Sequence, residues 1–102
     1  MSEWVRVADA LDIPAGTGKE FAVLGRIVAV FNIAGTFYAM DGVCPHAGGP
    51  LGEGVLTGNV VTCPWHGWQF DVTSGQHCLN ANLQHPAFPV RLEGNDVLVE
   101  LP

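Results

Sequence analysis

The chain has 102 residues, with 13 Gly, 7 Pro and 48% hydrophobic residues, the size of one ordinary domain, so a single domain over 1-102 is expected. Ten Asp and Glu against four Lys and Arg give a formal charge of -6, a balance that excludes nucleic acid as the natural partner. The basic residues, Arg6, Lys19, Arg26 and Arg91, are too scattered to form a phosphate-tracking stripe or a basic membrane-surface helix, which leaves a basic protein as a plausible partner.

The longest apolar stretch, Ile27 to Ile33, is broken by Asn32 and falls far short of the roughly 20 residues that span a bilayer, so no membrane segment is expected. The start, Met1-Ser2-Glu3-Trp4-Val5-Arg6, shows no basic region followed by an apolar run, and a cytoplasmic location is expected. Three cysteines, Cys44, Cys63 and Cys78, are an odd number for a disulfide framework and point instead to metal ligation.

In chain order, glycine- and Asx-rich breaks separate short runs rich in Val, Ile, Phe and Trp. These predict strands at Val5-Ala8, Lys19-Val23, Ile27-Ile33, Thr36-Met40, Val55-Thr57, Val60-Cys63, Gln69-Asp71, Val90-Glu93 and Val97-Leu101. Val7 to Ile13 is the one helical candidate; it is short, is closed by Pro14, and reads as a turn leading out of the first strand. The expected class is all-β, a small antiparallel sandwich or barrel. No repeat, low-complexity tract or linker interrupts it.

Val43 to Gly54 lacks strand character and reads as a shaped loop that needs something to organise it. It holds Cys44-Pro45-His46, and a second loop holds Cys63-Pro64-Trp65-His66, with 16 residues between His46 and Cys63. Each loop thus offers one thiolate and one imidazole, while the prolines fix the backbone and Gly48, Gly49 and Gly67 permit close approach. Two cysteines and two histidines suit either tetrahedral zinc or a 2Fe-2S centre with two thiolates on one iron and two imidazoles on the other. Zinc sites commonly draw both cysteines from one motif and both histidines from another; here each motif is mixed, which favours the two-iron centre.

Cys44-Pro45-His46 followed at this spacing by Cys63-Pro64-Trp65-His66-Gly67-Trp68 resembles the Rieske iron-sulfur motif. The similarity extends to Gln69-Phe70-Asp71-Val72-Thr73-Ser74-Gly75 and to Phe88-Pro89-Val90-Arg91-Leu92-Glu93-Gly94, and the length resembles a stand-alone Rieske-type ferredoxin. The resemblance implies three antiparallel sheets with a cluster-binding part at approximately 42-72. It implies that Cys44 and Cys63 bind the buried iron of one 2Fe-2S cluster and that His46 and His66 bind the outer iron. It also implies that Gln84-His85-Pro86-Ala87-Phe88-Pro89 corresponds to the proline-containing loop that shields the cluster.

Departures from the pattern carry information. High-potential relatives of the cytochrome bc type add a cysteine in each loop, where this chain has Gly49 and Trp65, so their disulfide cannot form. They also place a serine and a tyrosine where this chain has Trp68 and Phe70. Hydroxyl donors to cluster sulfur stabilise the more negative reduced state; without them the expected potential is near the low end of the Rieske range, about -150 mV rather than +300 mV.

The implied function is a one-electron carrier between a flavin-containing NAD(P)H-dependent reductase and a terminal oxygenase, itself not an enzyme. Gly16-Thr17-Gly18 is followed by no helix, so no dinucleotide fingerprint exists, and no second His/carboxylate set is available for a mononuclear iron. The alternatives are the small Rieske subunit of an NADH-dependent nitrite reductase, bound to its large subunit, and a structural zinc module. Outside the motifs, Cys78 reads as a buried, inert thiol, His77 and His85 as solvated loop residues, and Trp65 and Trp68 as packing that covers the cluster, with a docking rim formed by Trp65 and Gly48-Gly49-Pro50 as the alternative.

Overall fold

The computed structural model describes residues 3–44, 48–65, 67–79 and 82–102. The strands are β1 (Glu3–Asp9), β2 (Thr17–Val23), β3 (Arg26–Ile33), β4 (Thr36–Asp41), β5 (Val55–Thr57), β6 (Val60–Thr62), β7 (Gln69–Asp71), β8 (Ala87–Phe88), β9 (Val90–Glu93) and β10 (Asp96–Leu101). They form three antiparallel sheets, in the orders β1-β10-β9, β2-β3-β4-β8 and β5-β6-β7. The helical candidate is a single 3-10 turn, Ala10–Asp12, whose N-cap Asp9 accepts from the Leu11 amide at 2.8 Å.

The β2–β3 and β3–β4 hairpins close through two-residue turns, Leu24-Gly25 and Ala34-Gly35, with positive φ at all four positions. This is the mirror-image turn that matches strand twist; glycine takes the second position in both. The expected strand ends shift where hydrogen bonds decide them. β6 stops at Thr62, one step before the hairpin closes with the Cys63 amide donating to the Trp68 carbonyl at 2.7 Å, in the register of Thr62 opposite Gln69. β8, between Pro86 and Pro89, escapes a sequence reading because two residues carry no alternation.

Two apolar cores lie on opposite faces of the middle sheet. Along β3, Val28 and Val30 enter one core with Ala8, Ile13, Val97 and Val99, while Ala29 and Phe31 enter the other with Leu51, Val61, Phe70 and Val72. Successive strand residues point to opposite faces, so an almost unbroken apolar run marks a strand covered on both sides. The second core contains both Cys44 and Cys63. No helix among the described residues is long and apolar enough to cross a membrane.

Candidate metal centre

β4 ends at Asp41, and the first motif loop leaves from a root fixed on several sides. Asp41 accepts from the Val43 amide at 2.9 Å in an Asx turn, the Gly42 amide donates to the Ile27 carbonyl at 2.9 Å, and the Leu51 amide returns to the Gly42 carbonyl at 2.9 Å. Within the loop, the Cys44 amide donates to the Gly49 carbonyl and the Gly48 amide to the Cys44 carbonyl, both at 2.8 Å, and Val43 bridges Pro50. A second 3-10 turn, Leu51–Glu53, follows. Glu20 on β2 supports this turn by accepting from the Gly52 amide at 3.2 Å, its carboxylate lodged against Gly42 where no Cβ could fit. Burial, offset by the Gly52 amide and reinforced by Glu53 and Asp41, raises the Glu20 carboxyl above its ordinary value.

The second loop starts where the β6–β7 hairpin closes on the Cys63–Trp68 hydrogen bond. Cys44 and Cys63, one from each loop, are both 1% exposed, are not disulfide-bonded, and stand close enough for the Cys44 thiol to raise that of Cys63. Burial pushes the Cys63 thiol up, the Trp65 amide donating to its sulfur pulls it back, and Cys44 pushes it up again. Two adjacent buried thiols resist becoming two thiolates unless a cation compensates them, which is the condition a thiophilic metal centre supplies. Gly49 completes the fit: a Cβ there would lie 2.8 Å from the Cys63 sulfur and 2.9 Å from the Trp65 ring, so only glycine lets the first loop close over that sulfur. The donor chemistry and the cradle suit an iron-sulfur group.

The family of proteins is decided by comparison with known sequences: the Rieske 2Fe-2S domain matches residues 3–92. The chain belongs to the Rieske family. It is 39% identical over 98 residues to the ferredoxin component of the alkene monooxygenase system of Xanthobacter autotrophicus, covering 95% of this chain and 80% of that protein. It is 30% identical over 100 residues to the ferredoxin component of the naphthalene 1,2-dioxygenase system of Pseudomonas aeruginosa, covering 97% and 96%. Among solved structures, the ferredoxin of carbazole 1,9a-dioxygenase from Nocardioides aromaticivorans superposes with a TM-score of 0.86 at 32% identity over 94% of this chain and 95% of that one. A putative NADH-dependent nitrite reductase small subunit from Mycobacterium tuberculosis shares the fold, with a TM-score of 0.89 at 20% identity over 100% and 97%. A Rieske domain implies a Rieske-type 2Fe-2S cluster, and these ferredoxins are electron-transfer components rather than catalysts.

Of the four expected ligands, Cys44 and Cys63 meet in the second core, while His46 and His66 lie outside the described residues. Trp65 is half-exposed and stands against Gly49. Three expectations are corrected. Cys78 is exposed, because its amide pairs with the Gln69 carbonyl at the sheet edge and directs its side chain outward. His77 and His85 are buried, at 7% and 5% exposure, because both rings pack on Phe70, at 5.1 and 5.3 Å. His77 also stands edge-on to Trp68 at 4.7 Å, and its Nδ1 accepts from the Leu79 amide at 3.1 Å, which leaves the proton of the neutral ring on Nε2. Sequence reasoning missed Glu20, which approaches the loop only through the β2–β3 pairing and carries no local signal.

Proposed function

We propose that this Rieske protein is a one-electron carrier that receives electrons from a flavin-containing NAD(P)H-dependent reductase and delivers them to a terminal oxygenase, with Cys44, His46, Cys63 and His66 as the ligands of one cluster. The observation that carries the reading is the meeting of two buried, unbridged cysteines from two loops beneath the Gly49 cradle. The cluster, when bound, supplies reversible one-electron chemistry. The chain supplies everything around it: Cys44 and Cys63 seat it against the second core, the Trp65 amide donates to a ligand sulfur, and Leu51, Phe70 and Val72 exclude water from the buried side.

The partners are supported by relatives rather than by a contact. Relatives at 30% identity or more over nearly the full chain include ferredoxin components of oxygenase systems, and the carbazole 1,9a-dioxygenase ferredoxin, 32% identical in its complex with the reduced oxygenase, superposes with a TM-score of 0.85. The lower identity to nitrite reductase small subunits supports the shared fold alone. The whole of 1-102 is read as one Rieske domain with its cluster-binding part at approximately 42-72. The potential is placed near the low end of the Rieske range, since Trp68 and Phe70 bring no hydroxyl to the ligand sulfurs.

The test is reconstitution: the purified holoprotein is mixed anaerobically with NADH, a flavin reductase and the oxygenase of a ring-hydroxylating system. Turnover that depends on the added chain supports the carrier reading. Failure to accept electrons, together with copurification with a sirohaem-containing partner, replaces it with a fixed nitrite reductase subunit.

A further inference from the structure

We propose that His85 is a positioning residue that ties the roots of the two cluster loops together and so fixes how Cys44 and Cys63 face one another. His85 lies on the connection leading to β8 yet is 5% exposed. Its Nε2 stands 2.7 Å from the Asp41 carbonyl oxygen; since a carbonyl only accepts, Nε2 carries the proton and donates. The next residue closes the same grip from the other side, with the Asp41 amide donating to the Pro86 carbonyl at 2.9 Å. Asp41 is therefore held at both backbone polar groups, at the point where β4 gives way to the loop bearing Cys44.

The same residue reaches the second loop. Its ring packs on Phe70 with centroids 5.3 Å apart, and Phe70 pairs with Val61 on the β6–β7 hairpin whose end carries Cys63. Its amide donates to the Gly75 carbonyl at 2.8 Å, in the turn that follows β7. Gly75 has φ of +81°, and a Cβ there would collide with the His85 carbonyl, so the approach requires glycine. A hydrogen bond to one loop root and a ring contact with the other make His85 a crosslink between the two segments, in addition to the second core that they share and the Gly49–Trp65 contact. An apolar residue could fill the space, but it would leave the Asp41 carbonyl without its donor.

The inference rests on the carrier reading, and the test separates the two. Holoprotein, His85→Gln and His85→Phe are compared by electron paramagnetic resonance of the dithionite-reduced state and by hydrogen-exchange mass spectrometry of segment 39–43. Gln keeps a donor near the Nε2 position; Phe keeps only the volume. The expected order places Gln close to the parent, while Phe gives an altered, broadened rhombic signal and exchange at 39–43 faster by roughly threefold to tenfold, the range for one lost hydrogen bond. Parental spectrum and exchange in His85→Phe would overturn the proposal, as would a better match from Phe than from Gln, because a space-filling residue gives that order. If His85→Phe yields no folded protein, His85→Gln decides alone: parental behaviour supports the crosslink, and a changed spectrum overturns it. A parent without a Rieske signal would instead refute the carrier reading itself.

Discussion

A methyl group at position 49 has nowhere to go, with the Cys63 sulfur 2.8 Å and the Trp65 ring 2.9 Å from where it would stand. Gly49→Ala should therefore cost about 1–3 kcal/mol in thermal or denaturant unfolding and lower the iron bound per chain, checked by metal analysis. Glu20 makes a pH-dependent claim. Burial raises its carboxyl in the folded chain, so folding favours its protonated form. That contribution is fully present below the ordinary carboxylate range and is lost as pH rises through the raised value. Glu20→Gln, which can still accept from the Gly52 amide, should be more stable than the parent at neutral pH, with the gap closing in acid; unfolding curves at both pH values check this. At this scale the meeting of Cys44 and Cys63 was legible, because each cysteine sits in a short motif of matched residue type and spacing. The burial of His77 and His85 and the exposure of Cys78 were not, because each depends on which strand edge or ring, Gln69 or Phe70, lies across from it in three dimensions.

At the scale of elements, β3 serves two masters. Val28 and Val30 face the core shared with β10, and Ala29 and Phe31 face the core that contains the cysteines. Substitutions in the two cores should therefore part in their effects. Val99→Ala in the first core should lower stability by about 2 kcal/mol and leave the cluster's spectrum unchanged. Phe70→Ala in the second should cost about 3–5 kcal/mol and also reduce cluster content, because its ring underlies the β6–β7 hairpin and His85. Paired unfolding and visible-absorbance measurements distinguish the two cases. Most strands could be read from their turn residues, Ala34-Gly35 among them, whereas the Leu24-Gly25 turn could not, because leucine at positive φ carries no turn signature. The sharing of β3 between two cores was hidden, because an apolar run records burial on both faces without naming the neighbours.

For the molecule as a whole, charge is distributed as unevenly as chemistry. Every Lys and Arg lies at or before position 26 or at position 91, so the stretch carrying both cluster loops holds carboxylates such as Asp41, Glu53 and Asp71 and no permanent cation. A basic face on the oxygenase or reductase would be steered toward it, and the second-order rate of electron transfer should fall by about tenfold between low salt and about 1 M ionic strength. Stopped-flow kinetics across a salt series would show it, and a flat dependence would remove steering. The most direct measurement is an anaerobic redox titration of the purified chain followed by electron paramagnetic resonance. A rhombic signal with an average g-value below that of all-cysteine clusters, appearing at a midpoint near about -150 mV, is the expected result for a low-potential Rieske carrier. A silent sample containing zinc, or a midpoint well above zero at neutral pH, would contradict it.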